Sequence, residues 1–107
     1  MEGRARLYNR GRARLHAADA LRIGAIRRMA PNLGLSRTAS VDEVIQAAVR
    51  LTGRSRESIA AVLLTAEPTD DRALVRISDD LARLEAAVRA AAVPGATPPT
   101  PPMTGDR

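Results

Sequence analysis

The chain has 107 residues, a formal net charge of +5, one aromatic residue and no cysteine. That length holds one domain; the missing cysteines exclude a disulfide framework, a thiolate metal site and redox chemistry through thiols. No apolar run approaches the roughly 18–20 residues of a membrane span and no signal-peptide core opens the chain, so it is expected to be soluble as given.

Hydrophobic residues make up 45% of the chain, many of them alanine. The core must therefore come from Leu, Ile, Val and Ala at helical spacing, and the expected fold class is all-α. Leu15, Ala18, Leu21 or Arg22, Ala25 or Ile26, and Met29 recur at that spacing. They predict a first long helix over about 7–30, roughly 35 Å at 1.5 Å per residue. Gly3 and Gly11 weaken its first turns. Pro31 is expected to stop or kink it at Ala30, and Gly34 to supply a left-handed position in the turn "PNLGLSRTA".

This helix also carries the charge. All 17 basic residues are arginine, and residues 1–30 hold eight of them against Glu2 and Asp19, a balance of +6. The other nine face ten acids, a balance of −1. The basic character belongs to one end of the molecule.

"SVDEVIQAAVRLTGRSRESIAAVLL", residues 40–64, reads as two short helices joined by a glycine turn. Ser40 and Glu43 form a capping box, and Val41, Val44, Ile45, Ala48 and Val49 make an apolar stripe, giving a helix over about 41–52. Gly53 fits the position after its end. Ser55 caps a third helix over about 55–66 with Ile59, Val62, Leu63 and Ala66 on its apolar face. Thr69 is the expected N-cap of a fourth helix over about 70–92, with Asp70 and Asp71 at the positive end of its dipole. Its heptad-like seam is Leu74, Ile77, Leu81, Leu84, Val88 and Ala91. Residues 93–107 carry five of the seven prolines and are assigned no fixed structure. The expected architecture is a bundle of two long helices, with the short pair between them in sequence, occupying residues 1–92.

Residues 40–64 first suggest a DNA-reading helix-turn-helix, but two features oppose it. A recognition helix needs an exposed polar face, yet "IAAVLL" is apolar almost all round and is expected to be buried on two sides. Arg50, Arg54 and Arg56 also cancel against Asp42, Glu43 and Glu57, so phosphate attraction is missing there. A structural hairpin is the expectation. The start "GRARLYNRGRARL" is more suggestive, with Arg4, Arg6, Arg10, Arg12 and Arg14. A solvated helix face, a membrane-proximal basic segment and a nucleic-acid contact all remain open. Nucleic acid ranks last because stacking platforms need aromatics and Tyr8 stands alone.

No residue pattern points to catalysis. Asp70 and Asp71 suit a helix start, and Asp79 and Asp80 are expected on the exposed side of the fourth helix. His16 has no second histidine or cysteine with which to share a metal. Ser36, Ser40, Ser55 and Ser58 lie in turn or cap contexts without a histidine base nearby. Tyr8 is expected to pack where the first and fourth helices meet, with an interface role as the alternative. No catalytic, cofactor-binding or metal-binding residue is assigned.

Taken together, "EGRARLY", "ALRIGAIRRM", "LGL", "VIQAAVRLTGR" and "DDRALVRISDDLARLE" resemble the C-terminal cytoplasmic portion of an actinobacterial family of membrane proteins of unknown function. The resemblance spans about Glu2 to Arg89. It implies a parent protein with an extracytoplasmic domain and a transmembrane helix ahead of this segment, so that Met1 would be an introduced start and the chain an excised domain. It also implies work beside MoxR-type AAA+ ATPases and their von Willebrand factor A-like companions in a chaperone or envelope-assembly system. Arginines just inside a membrane span would then satisfy the positive-inside rule and touch anionic headgroups. Pro31, Asn9 and Gly11 depart from the regular helix formers expected at those places.

The expected function is a non-enzymatic helical interaction module on the cytoplasmic side of the membrane, docking a MoxR-type ATPase or its companion. The alternatives are a small arginine-rich nucleic-acid-binding protein, and a self-associating element that dimerises through the first helix or the fourth-helix seam.

Overall fold

Among the described residues four helices form in chain order: α1 over Glu2–Asn32, α2 over Val41–Thr52, α3 over Arg56–Ala60 and α4 over Asp71–Ala92. The computed structural model describes residues 2–92, with side chains from Asn9 onward. The side chains of Arg4, Arg6 and Tyr8 and the proline-rich residues 93–107 therefore lie outside the described residues. Among the described residues there is no strand, and the fold is a small all-α bundle.

Helix α1 runs farther than its sequence predicts, through Pro31 to Asn32. Pro31 removes one N–H, but its position in the last turn lets the helix end absorb the loss. Gly34, at φ 75°, donates to the Pro31 carbonyl, and Leu35 donates to the Ala30 carbonyl. That pair of bonds is a Schellman motif, which satisfies the carbonyls left over at a helix end. The end of the helix is thus set by Gly34, three residues beyond the proline.

Helix α2 matches expectation closely. Ser40 Oγ accepts from the Glu43 N–H at 3.1 Å, and Glu43 Oε1 accepts from the Ser40 N–H at 2.8 Å. Gly53 closes the other end at φ 76° by donating to Val49. Ser55 caps α3, accepting from the Ser58 N–H at 3.1 Å. The third helix is not a single α-helix over 55–66: after Ala60 it widens into a π turn over Ala61–Thr65. Asp70, not Thr69, caps α4, since its Oδ1 accepts from the Ala73 N–H at 2.7 Å. A carboxylate is as good a cap as a hydroxyl and is favoured by the dipole, so the acid won.

The core is continuous through all four helices. Ala25 and Met29 of α1, Val44, Ile45 and Ala48 of α2, Ile59 and Leu63 of the third helix, and Ile77, Leu81, Leu84 and Val88 of α4 are its buried members. On α4 the heptad seam holds at its centre, but Leu74 is half-buried and Ala91 is exposed. Ala73, not on that seam, is buried. On α1 Leu15 is 45% exposed, contrary to its place in the apolar pattern.

The long helices lie parallel. Arg14 meets Asp71 and Arg28 meets Glu85, and both pairs span 57 residues in sequence. A constant offset over four turns means that α4 tracks α1 residue for residue. The α2–α3 hairpin makes this possible by returning the chain to the starting end. The same offset sets Asp71, the first residue of α4, beside Arg14. Residues 2–10 of α1 consequently run past the N-terminus of α4, an overhang of roughly 14 Å at 1.5 Å per residue.

Candidate functional site

The overhang carries most of the arginines singled out in the sequence. Successive arginines two residues apart turn by about 200° around a helix, so Arg10, Arg12 and Arg14 cannot share one face. Arg10 and Arg14 line one depression with Ala13, Asp71 and Leu74. Arg12 and Arg14 line another, against Glu67, Pro68 and Thr69 of the α3–α4 connection. Arg10 and Arg12 are exposed, whereas Arg14 is drawn onto the bundle. Its Nη1 lies 3.5 Å from Asp71 Oδ1 and its Nη2 donates to the Thr69 carbonyl at 3.3 Å. Of the described arginines, Arg10 thus lies on the overhang, while Arg12 and Arg14 stand where α1 meets the α3–α4 connection.

The sequence pattern left Leu21 and Arg22 as alternatives on the inner face of α1 and gave Arg22 no role. Arg22 is only 8% exposed, a guanidinium in the middle of the α1 seam between Ala18 and Ala25. The cause lies opposite, in the π turn. Ala66 donates to the Ala61 carbonyl five residues back, which deprives the Val62 carbonyl of its usual helical partner. Arg22 Nε donates to that Val62 carbonyl at 2.9 Å, and Arg22 Nη2 donates to the Ala66 carbonyl. The arginine thus repairs a helix end from across the core. A signal was available: Arg22 falls at a seam position flanked by alanines small enough to admit a long side chain.

Other polar groups serve structure. Arg28 holds Glu85 through Nε at 2.7 Å and Nη2 at 3.0 Å, and this hydrogen bond, followed by the carboxylate's charge, raises the Arg28 pKa above its ordinary value. Arg56 Nη2 and Asp42 Oδ1, 2.6 Å apart, join α3 to α2, and Arg83 meets Asp80 at 2.7 Å along α4. Asp79 is exposed and Asp80 half-exposed, close to expectation. The serines sit where turn chemistry placed them: Ser36 accepts from the Thr38 N–H, Ser40 and Ser55 cap helices, and Ser58 donates to the Ser55 carbonyl. His16 is exposed, and no three potential ligands of a metal ion gather among the described residues.

The α2–α3 pair keeps Ile59 and Leu63 in the core, while Leu64 is 54% exposed, so burial is one-sided where two sides were expected. An open cleft of about 370 Å³ lies between the third helix and α4, floored by Ile59, Val62 and Leu84 and rimmed by Arg54 and Arg83. No helix among the described residues is long and apolar enough to cross a membrane. No protein-family model, curated protein or solved structure matches the chain.

Proposed function

We propose that the chain is a non-enzymatic helical interaction module whose basic end seats on an anionic membrane surface and whose bundle docks a protein partner. The observation that carries this reading is the parallel register of α1 and α4, since it leaves the arginine-rich turns of α1 projecting beyond the body. Residues 1–30 carry +6 and the rest of the chain −1, so an anionic surface attracts one end and is indifferent to the other. Each arginine close to such a surface contributes about 1 kcal/mol. Between Glu2 and Arg14 the only large apolar side chains are Leu7 and Tyr8, which favours adsorption at headgroup level over insertion.

The partner implied by the resemblance is a MoxR-type ATPase or its companion, acting in envelope assembly, with this module on the cytoplasmic side. Crosslinking in cells with the tagged chain, followed by recovery with and without nuclease, tests this. Capture of a AAA+ ATPase or envelope proteins, unchanged by nuclease, supports the reading. Capture that collapses with nuclease transfers the arginines to a nucleic-acid role.

A further inference from the structure

Of the large aliphatic side chains left exposed on the two long helices, Ile23 and Val75 are the most open, at 50% and 58%. Each has one charged residue a turn before it and another a turn after it. Ile23 lies between Asp19 and Arg27, and Val75 between Asp71 and Asp79, all four exposed. The α1 ridge therefore carries an acid and a base, and the α4 ridge two acids.

Asp19 and Arg27 do not neutralise each other, since eight residues of helix hold them roughly 12 Å apart along its axis. Neither side chain forms a hydrogen bond or ion pair among the described residues, whereas Asp71 already meets Arg14.

We propose that this ridge of α1 packs against the same ridge of a second copy of the chain, antiparallel and about a two-fold axis at Ile23. An axis there sets Ile23 against the partner's Ile23, and Asp19 against the partner's Arg27 at both ends of the contact. Two apolar side chains are covered, and four unpaired charges become two ion pairs. Residues four apart form the ridges that interlock when helices pack, and Ala20, exposed beside Ile23, is small enough to leave a groove for the partner's Ile23. The same operation at Val75 opposes Asp71 to the partner's Asp79, acid to acid, so the α4 ridge repels its own copy.

The arrangement also keeps the arginine-rich starts apart. They point in opposite directions, with the two Arg10 positions roughly 40 Å from each other at 1.5 Å per residue. That is several times the screening length of about 8–10 Å at ordinary salt. One helix from each copy makes a small interface, so the dimer is expected to be weak, with a Kd of about 10–100 µM. This inference does not depend on the membrane reading.

Sedimentation equilibrium of the full chain from about 5 µM to about 500 µM, a range that brackets such a Kd, tests it. The parent is expected to pass from monomer to dimer across that range. Ile23→Asp places two like charges on the axis and is expected to leave a monomer. Val75→Asp, the same kind of change at the more exposed position on α4, is expected to dimerise like the parent. Asp19→Arg and Arg27→Asp each turn both ion pairs into repulsions and are expected to weaken association about tenfold or more. The double variant Asp19→Arg, Arg27→Asp exchanges the charges and is expected to recover affinity to within about threefold of the parent. Circular dichroism is expected to show unchanged helix content, since all four positions are exposed.

A parent that stays monomeric throughout overturns the proposal. So does dimerisation of Ile23→Asp at the parent's strength, which places the contact elsewhere, and so does loss of the dimer in Val75→Asp, which moves it to α4. Weakened single variants without recovery in the double exchange overturn the antiparallel register.

Discussion

Arg22 on α1 donates from Nε to the backbone carbonyl of Val62, 2.9 Å away, at the point where the third helix widens into a π turn. The π turn and the arginine form a unit, because each is unsatisfied without the other. Arg22→Leu leaves the Val62 and Ala66 carbonyls without their donor and is expected to cost about 2 kcal/mol, the penalty of a stranded acceptor offset in part by relief of a desolvated charge. Arg22→Lys, a point donor that reaches one carbonyl, is expected to lose less. Urea midpoints measure both, and a Leu variant as stable as the parent contradicts the pairing.

Gly11 and Gly24 make opposite predictions on the same helix. A Cβ at position 11 meets nothing within 4 Å, so Gly11→Ala is expected to stabilise α1 by about 0.5–1 kcal/mol through helix propensity alone. At Gly24 the added Cβ would lie 3.1 Å from Arg28 Nη1, which grips Glu85 from its other atoms. Gly24→Ala therefore gains propensity but displaces the guanidinium, and its net gain in a thermal melt is expected to be smaller than that of Gly11→Ala.

The core is uneven in its sensitivity. Leu84 is 1% exposed amid residues from all four helices, and Leu84→Ala is expected to cost about 2–4 kcal/mol by lost burial and a residual cavity. Leu64→Ala, at a 54% exposed position, is expected to stay within about 0.5 kcal/mol of the parent. Denaturant unfolding of the pair measures the contrast.

Arg28 and Glu85 make a pH prediction of definite sign. A base whose pKa is raised on folding stabilises the fold below its unfolded value, and that contribution disappears only as the pH climbs through the raised value. For a guanidinium both values lie far above neutrality. The loss caused by Arg28→Gln is therefore expected to be the same in mildly acidic and mildly alkaline buffer, and to shrink as salt screens an exposed pair. A loss that changes steeply across neutral pH contradicts this assignment.

Sequence carried the fold where local chemistry and periodicity agreed. The capping box at Ser40 and Glu43, the left-handed Gly53 and the Ile77 to Val88 seam were all legible because each depends on neighbours within one or two turns. Pro31 misled because a proline in the last turn costs one hydrogen bond, and the Schellman bonds around Gly34 tolerate that loss. The π turn and Arg22 were not legible, since each is justified only by the other across 40 residues of chain. For the candidate site, the arginines were visible from their density, but the overhang was not. It follows from the register of α1 against α4, a tertiary fact fixed by the pairs at Arg14 and Arg28.

If the module seats on an anionic membrane surface as proposed, the exposed Arg10 and Arg12, where the overhang leaves the bundle, bring it there. The most direct test is cosedimentation with phosphatidylglycerol-containing vesicles of the parent chain and of the double variant Arg10→Glu, Arg12→Glu. The parent is expected to bind, salt to weaken its binding, and the double variant to stay in solution with its helix content intact. Binding of the double variant at the parent's level, or a parent that sediments equally with neutral vesicles, would contradict that proposal.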